Sequence, residues 1–303
     1  LLLGHTWQAW GLMPSFNILA FSENHFMKGA TRVPQIRITQ KLTKEFTMQV
    51  AVAATNQTLW GTNGGTYVDD TNRALIPDTS LEFVYKTDKL GKIGPWMLTF
   101  GLGGMIGSEK VSYQETATKI GEKNVRRWGA SFYGYIPIIP EKGGNKAGAL
   151  GLTGNVFTGQ GLGAYLPAYP SSPYNRPGDA SADFAGAYST AFGTPVPLAS
   201  IDPQYPVTSG GWGQLTFYFT NNVFTNILWG YQTNFTSLAY RIANRTIPRN
   251  LQNFVVNIMY DPSPAVRLGL EYTRITTAYG GWTATTEGKG KLDAVRFGAY
   301  YYF

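Results

Sequence analysis

Two regularities constrain this chain more than its composition does: polar and apolar residues alternate with period two, and the connectors between the alternating runs alternate in length. Period two is the signature of strands with two unlike faces. From Gln35 the chain reads Q-I-R-I-T-Q-K-L, so Gln35, Arg37, Thr39 and Lys41 oppose Ile36, Ile38 and Leu42, with Gln40 the exception. From Phe46, Met48, Val50, Val52 and Ala54 oppose Gln49, Ala51, Ala53 and Thr55. Leu81, Phe83 and Tyr85 oppose Glu82, Val84 and Lys86 in 80–86. Trp96, Leu98, Phe100 and Leu102 oppose Thr99, Gly101 and Gly103 in 95–107, and Trp128, Ala130, Phe132 and Ile136 oppose Arg127, Gly129, Ser131 and Tyr133 in 125–138. With further runs at 1–7, 147–159, 212–220, 224–235, 249–260, 265–276 and 291–303, the pattern predicts twelve strands.

Short connectors are expected at 42–45, 87–94, 140–146, 221–223 and 261–264, and long ones at about 8–32, 57–78, 107–123, 160–211, 236–248 and 277–290. Long and short strictly take turns. An up-and-down barrel sorts its loops between two ends in this way, with tight turns at one end and long loops at the other. The D-P-S-P turn at 261–264 suits a tight connection, because proline fixes φ and stops a strand. Composition then decides which face is inside. Charged residues are only 14% of the 303 residues, aromatics reach 15%, and glycine numbers 36. The polar faces nevertheless carry Arg37, Lys41, Glu82, Lys86, Arg127, Arg267, Glu271 and Arg296. Charges cannot be sealed in a dry core without a large desolvation cost. They suit a water-filled interior, with the aromatic and aliphatic face toward lipid. The fold class expected is therefore all-β: a transmembrane antiparallel up-and-down β-barrel, in one domain over 1–303.

Two stretches carry a resemblance to a known family. The chain opens L-L-L-G-H-T-W, passes through a loop of about 25 residues and continues R-V-P-Q-I-R-I-T. It later reads V-V-N-I-M-Y-D-P-S-P-A-V-R-L-G-L-E-Y and ends V-R-F-G-A-Y-Y-Y-F. These resemble the trimeric sixteen-stranded porins of the Gram-negative outer membrane, in particular the DcaP-like dicarboxylate porins. The resemblance implies that 8–33 is a constriction loop folded into the barrel, and that strands precede those visible here, making sixteen in the intact protein. It implies that Phe303, with Tyr301 and Phe297, is a barrel-assembly signal. It further implies a homotrimer in outer-membrane lipid and lipopolysaccharide, and passive diffusion of small hydrophilic solutes, carboxylates among them. A complete twelve-stranded barrel remains the alternative, acting as a substrate-specific channel or as an outer-membrane hydrolase.

A channel needs a constriction and a field rather than a catalytic group. The expected lining is Glu23, Lys28 and Arg32 from the inward loop; Arg37 and Lys41 from the strand after it; the bases Lys86, Arg127, Arg267 and Arg296; and the acids Glu82 and Glu271, with Asp293 as a further lumen acid. Bases outnumber acids there and the net charge is +7, so a mild preference for anions follows. The 160–211 segment, rich in Gly, Pro, Ser, Ala and Tyr, is too long for an ordinary connection and is expected as an extracellular loop. His5 and His25 are the only histidines, Cys is absent, and no G-x-S-x-G occurs, so neither an enzyme nor a metal or cofactor site is expected. The bases are scattered over many strands, which argues against a nucleic-acid partner.

Overall fold

The computed structural model describes residues 1–7, 9–11, 18–19, 32–54, 76–114, 120–162, 207–235, 248–279 and 288–302. Twelve strands run through them: β1 (Leu2–Trp7), β2 (Arg32–Lys41), β3 (Phe46–Ala53), β4 (Asp78–Ile93), β5 (Trp96–Gln114), β6 (Ile120–Ile139), β7 (Leu150–Gln160), β8 (Val207–Tyr218), β9 (Val223–Phe235), β10 (Pro248–Ser263), β11 (Val266–Tyr279) and β12 (Lys289–Tyr301). They form one sheet in strict sequence order, each antiparallel to the next. This is the up-and-down wall that the alternating connectors demand. In that order β1 and β12 are the two edges. No helix among the described residues is long and apolar enough to cross a membrane, which leaves strand crossing untouched.

Several strands run further than the sequence expectation, although β3 stops at Ala53, β7 starts only at Leu150 and β8 stops at Tyr218. The expected loop at 107–123 is mostly strand, because β5 continues to Gln114 and β6 starts at Ile120. The expected connector at 87–94 belongs to β4, which ends at Ile93. The long connection after β7 is 161–206 rather than 160–211, and Arg32 already lies in β2. The extensions share one physical reason. A ladder persists wherever backbone N–H and C=O groups find each other, whereas side-chain alternation fades once both faces meet water.

The short turns are closed by side chains that mimic backbone. The Thr43 hydroxyl accepts the Phe46 N–H at 3.0 Å, and the Thr220 hydroxyl accepts the Val223 N–H at 2.9 Å. The Glu141 carboxylate accepts the Gly94 N–H at 2.7 Å, joining two neighbouring turns at that end of the wall.

The two faces have opposite polarity, and the apolar one is outside. Leu102, Ile106, Val156, Ile227, Trp229, Leu270, Val295 and Phe297 are all exposed, Phe297 at 72%. The opposite face is buried and largely polar: Gln214, Asn226, Asn253 and Thr273 are each 0% exposed. A soluble domain shows the reverse arrangement. A single sheet buries one face only if that face curls on itself or is covered, and here both hold. Trp10 and Gly11 touch β4, β5, β6 and β7, four strands that would spread over about 14 Å if flat.

Candidate functional site

The buried face is organised around a segment that follows β1 and lies across it. Its described residues are 9–11 and 18–19. Gly11 takes φ 61°, a left-handed conformation that glycine adopts at no steric cost. Its N–H donates to Glu82 Oε1 at 2.7 Å, and its carbonyl accepts from Asn155 Nδ2 at 3.0 Å. Trp10, 1% exposed, packs in a small apolar cluster with Met105, Phe157 and Leu162. Glycine makes this seat: a Cβ on Gly129 would lie 2.5 Å from the Trp10 ring. Farther along, Ile18 joins Tyr133, Tyr135, Trp212, Leu228, Leu251 and Val255 from β6 to β10. The Leu19 N–H then donates to Glu271 Oε2 on β11 at 2.8 Å. From Gly11 to Leu19 is eight residues, a reach of at most about 28 Å, so the segment crosses the hollow of the curled sheet.

Each charged residue expected on the lining now has a position. Glu82 and Glu271 lie on the buried face and serve as acceptors for the crossing segment. Arg127 lies there too, ion-paired with Asp78, both almost fully buried. The pair spans two strands because Gly107 stands between them: a Cβ there would sit 2.2 Å from Asp78 Oδ1. Arg267 binds Asp261 through both ends of its fork, Nε to Oδ1 at 2.7 Å and a terminal NH2 to Oδ2 at 2.8 Å, and lies over the Phe224 ring. Arg296 stands directly opposite Glu271 in the β11–β12 register. Arg37, Lys41 and Lys86 share the same face at β2 and β4, and among the described residues their side chains make no hydrogen bond or ion pair. Glu23, His25, Lys28 and Phe303 lie outside the described residues, as does most of 160–211; Arg32 is placed as the first residue of β2. Tyr301 and Phe297 are exposed on the outer face of β12.

One expectation is overturned. Asp293, read as a lumen acid, faces outward, where Arg274 Nε donates to it at 2.7 Å and the Tyr272 hydroxyl donates at 2.5 Å. The β11–β12 register sets this, because Asp293 opposes Arg274 while Glu271 opposes Arg296 on the other face.

The sequence reading missed the polar row that supports the segment. Gln214 Nε2 and the Thr216 hydroxyl donate to Asn226 Oδ1 at 2.9 and 2.7 Å. Asn226 Nδ2 donates to Asn257 Oδ1 at 2.9 Å, and Asn257 Nδ2 donates to Glu271 Oε2 at 3.0 Å. Asparagines on the polar faces of two neighbouring strands were the available signal, but their alignment depends on the register.

A polar inner face, an apolar outer face and a backbone segment laid across the hollow together define a fold class: the wall of a transmembrane up-and-down β-barrel. One known structure agrees at the level of fold. The outer membrane channel DcaP of Acinetobacter baumannii superposes with a TM-score of 0.68 at 15% identity, over 99% of this chain and 71% of that one. The outer-membrane expressed OmpT of Vibrio cholerae (TM-score 0.49, 11% identity, 99% and 76% covered) and a NanC porin (0.35, 11%, 90% and 93%) are more distant. No protein-family model and no curated protein matches the sequence.

Proposed function

We propose that this chain walls a water-filled outer-membrane channel for passive diffusion of small hydrophilic solutes, with a mild preference for anions. The observation that carries the proposal is the inverted polarity of the wall together with the segment across its hollow. Exposed Leu, Ile, Val, Phe and Trp suit acyl chains and lipopolysaccharide outside, and a hydrogen-bonded polar face suits water inside. The two edges, β1 and β12, fit a barrel completed by further strands, sixteen in all, and the porin resemblance extends the reading to a homotrimer without enzymatic activity.

The anion preference rests on which charges are already engaged. On the inner face Asp78 is held by Arg127, Asp261 by Arg267, and Glu82 and Glu271 by backbone N–H groups. Arg37, Lys41 and Lys86 have no such partners among the described residues. They form one basic patch on β2 and β4, along the part of the inner wall where Thr39 and Lys41 are exposed. A one-signed lining in a low-dielectric wall concentrates counter-ions, and arginine binds carboxylates through a planar fork. The solute path therefore runs along β2–β4, with the loop between β1 and β2 as the constriction.

Planar-bilayer recording in a KCl gradient tests this. The expected result is anion-selective reversal with closure in three steps. Arg37→Glu moves the reversal potential toward cation selectivity, and Lys41→Glu and Lys86→Glu follow in the same direction. A cation-selective wild-type protein would overturn the basic-patch argument.

A further inference from the structure

The polar row on β8–β11 has a direction. Asn257 Oδ1 accepts from both the backbone N–H and the side-chain amide of Asn226, at 3.1 and 2.9 Å. The Asn257 amide group is thereby fixed, with its NH2 turned to Glu271. Asn226 is fixed likewise, because its Oδ1 is taken by Gln214 and Thr216. Every amide in the row donates toward Glu271, whose Oε2 also receives the Leu19 N–H, while its Oε1 lies 3.4 Å from the Thr273 hydroxyl. Successive amides oriented one way polarise one another, and the last of them, Asn257, converges with the Leu19 N–H on a carboxylate that is 1% exposed. This convergence offsets the cost of burying the Glu271 charge where the crossing segment needs an acceptor.

We propose that the Gln214–Asn226–Asn257–Glu271 ladder sets the width of the channel, by holding the crossing segment against the wall at Leu19. Glu271 is the contact, and Asn257 and Asn226 act through it as positioning residues, although neither is bonded to the segment in the described network. The inference rests on the channel reading and adds a residue-level account of its bore. Leu19 marks the point of attachment a second time, since a Cβ on Gly298 would lie 2.8 Å from its side chain.

The test uses the full chain, folded in detergent and reconstituted into planar bilayers and liposomes, with folding verified by heat-modifiable mobility. Glu271→Ala is expected to raise single-channel conductance and to admit a larger member of a graded sugar series in liposome swelling. Asn257→Ala, which leaves Glu271 in place, is expected to shift both readings in the same direction, and covers the case in which Glu271→Ala does not fold. The chain has no cysteine, so a Leu19→Cys/Gly298→Cys pair added to Glu271→Ala forms the sole disulfide. Oxidation should restore the narrow cutoff, and reduction should release it. Folded Glu271→Ala and Asn257→Ala with wild-type conductance and cutoff would overturn the ladder. A widened pore that the disulfide leaves wide would also overturn it, because the wall rather than the segment would then have moved. A wild-type protein that conducts nothing would instead remove the channel reading beneath it.

Discussion

The inner face of β2–β4 and the inner face of β8–β11 are written in the same alternating code but do different work. On β2–β4 the inner face is divided: Gln35, Asp78, Ser80 and Glu82 are buried, whereas Thr39, Lys41 and Lys86 are exposed, and Arg37, Lys41 and Lys86 are unpaired among the described residues. On β8–β11 the polar positions are Gln214, Thr216, Asn226, Asn257 and Glu271, buried and bonded in one network. The side-chain types match the settings. Lysine and arginine are costly to bury and useful in water, whereas an amide supplies both donor and acceptor and can satisfy a like neighbour in a dry row. Polarity alone thus does not identify a solvent-lined wall; what covers it does.

The contrast assumes that both regions share an apolar outside, and the strongest way to break it is to attack that outside. Leu102→Arg on the outer face should cost about 2–4 kcal/mol, the range for an arginine facing lipid near the bilayer centre, read from urea unfolding in vesicles. Thr39→Arg on the inner face should cost far less, and equal costs would mean that the two faces do not differ in environment. The next effect separates the inner walls from each other. Asn226→Ala strands buried partners on both sides and should cost about 1–3 kcal/mol, whereas Thr39→Ala on the exposed wall should stay within about 0.5 kcal/mol. A Thr39→Ala cost equal to that of Asn226→Ala would erase the distinction.

The smallest effect lies at the turn end of the β2–β4 wall. Lys89 Nζ lies 2.7 Å from Glu45 Oε1, and its hydrogen bond holds the Glu45 carboxyl below the usual carboxylate range. A carboxyl lowered on folding adds stability at neutral pH and loses it as the pH falls through that lowered value. Glu45→Gln should therefore reduce the urea midpoint slightly at neutral pH and leave it unchanged in acid. A loss that persists in acid would point to shape rather than charge.

Much of this arrangement was legible in the chain, and the limits follow from the same physics. Arg127 and Trp128 were assigned to opposite faces correctly because alternation across β6 survives wherever one side meets lipid and the other does not. The continuation of β5 to Gln114 was not legible, because the ladder there is kept by backbone groups common to every residue. The alignment of Asn257 with Glu271 lies close to the short turn at 264–265, but a register shift between Tyr260 and Ser263 intervenes. The alignment of Asn226 with Asn257 was out of reach, because the long connection 236–247 leaves the β9–β10 register free of any turn constraint. The charges expected of the inward segment, Glu23 and Lys28, lie outside the described residues; residues 9–11 and 18–19 contribute an indole, an isoleucine, a backbone carbonyl and two backbone N–H groups to the wall.

The sequence by itself determined the wall: twelve strands, their order, and which side chains face outward on nearly every strand, with Asp293 on β12 the exception, because period-two alternation and connector length are local properties of the chain. The tertiary structure alone decided which inner polar residues meet water and which meet one another. That depends on register across long connections and on where one backbone segment crosses the hollow, and both are fixed only when distant strands pair.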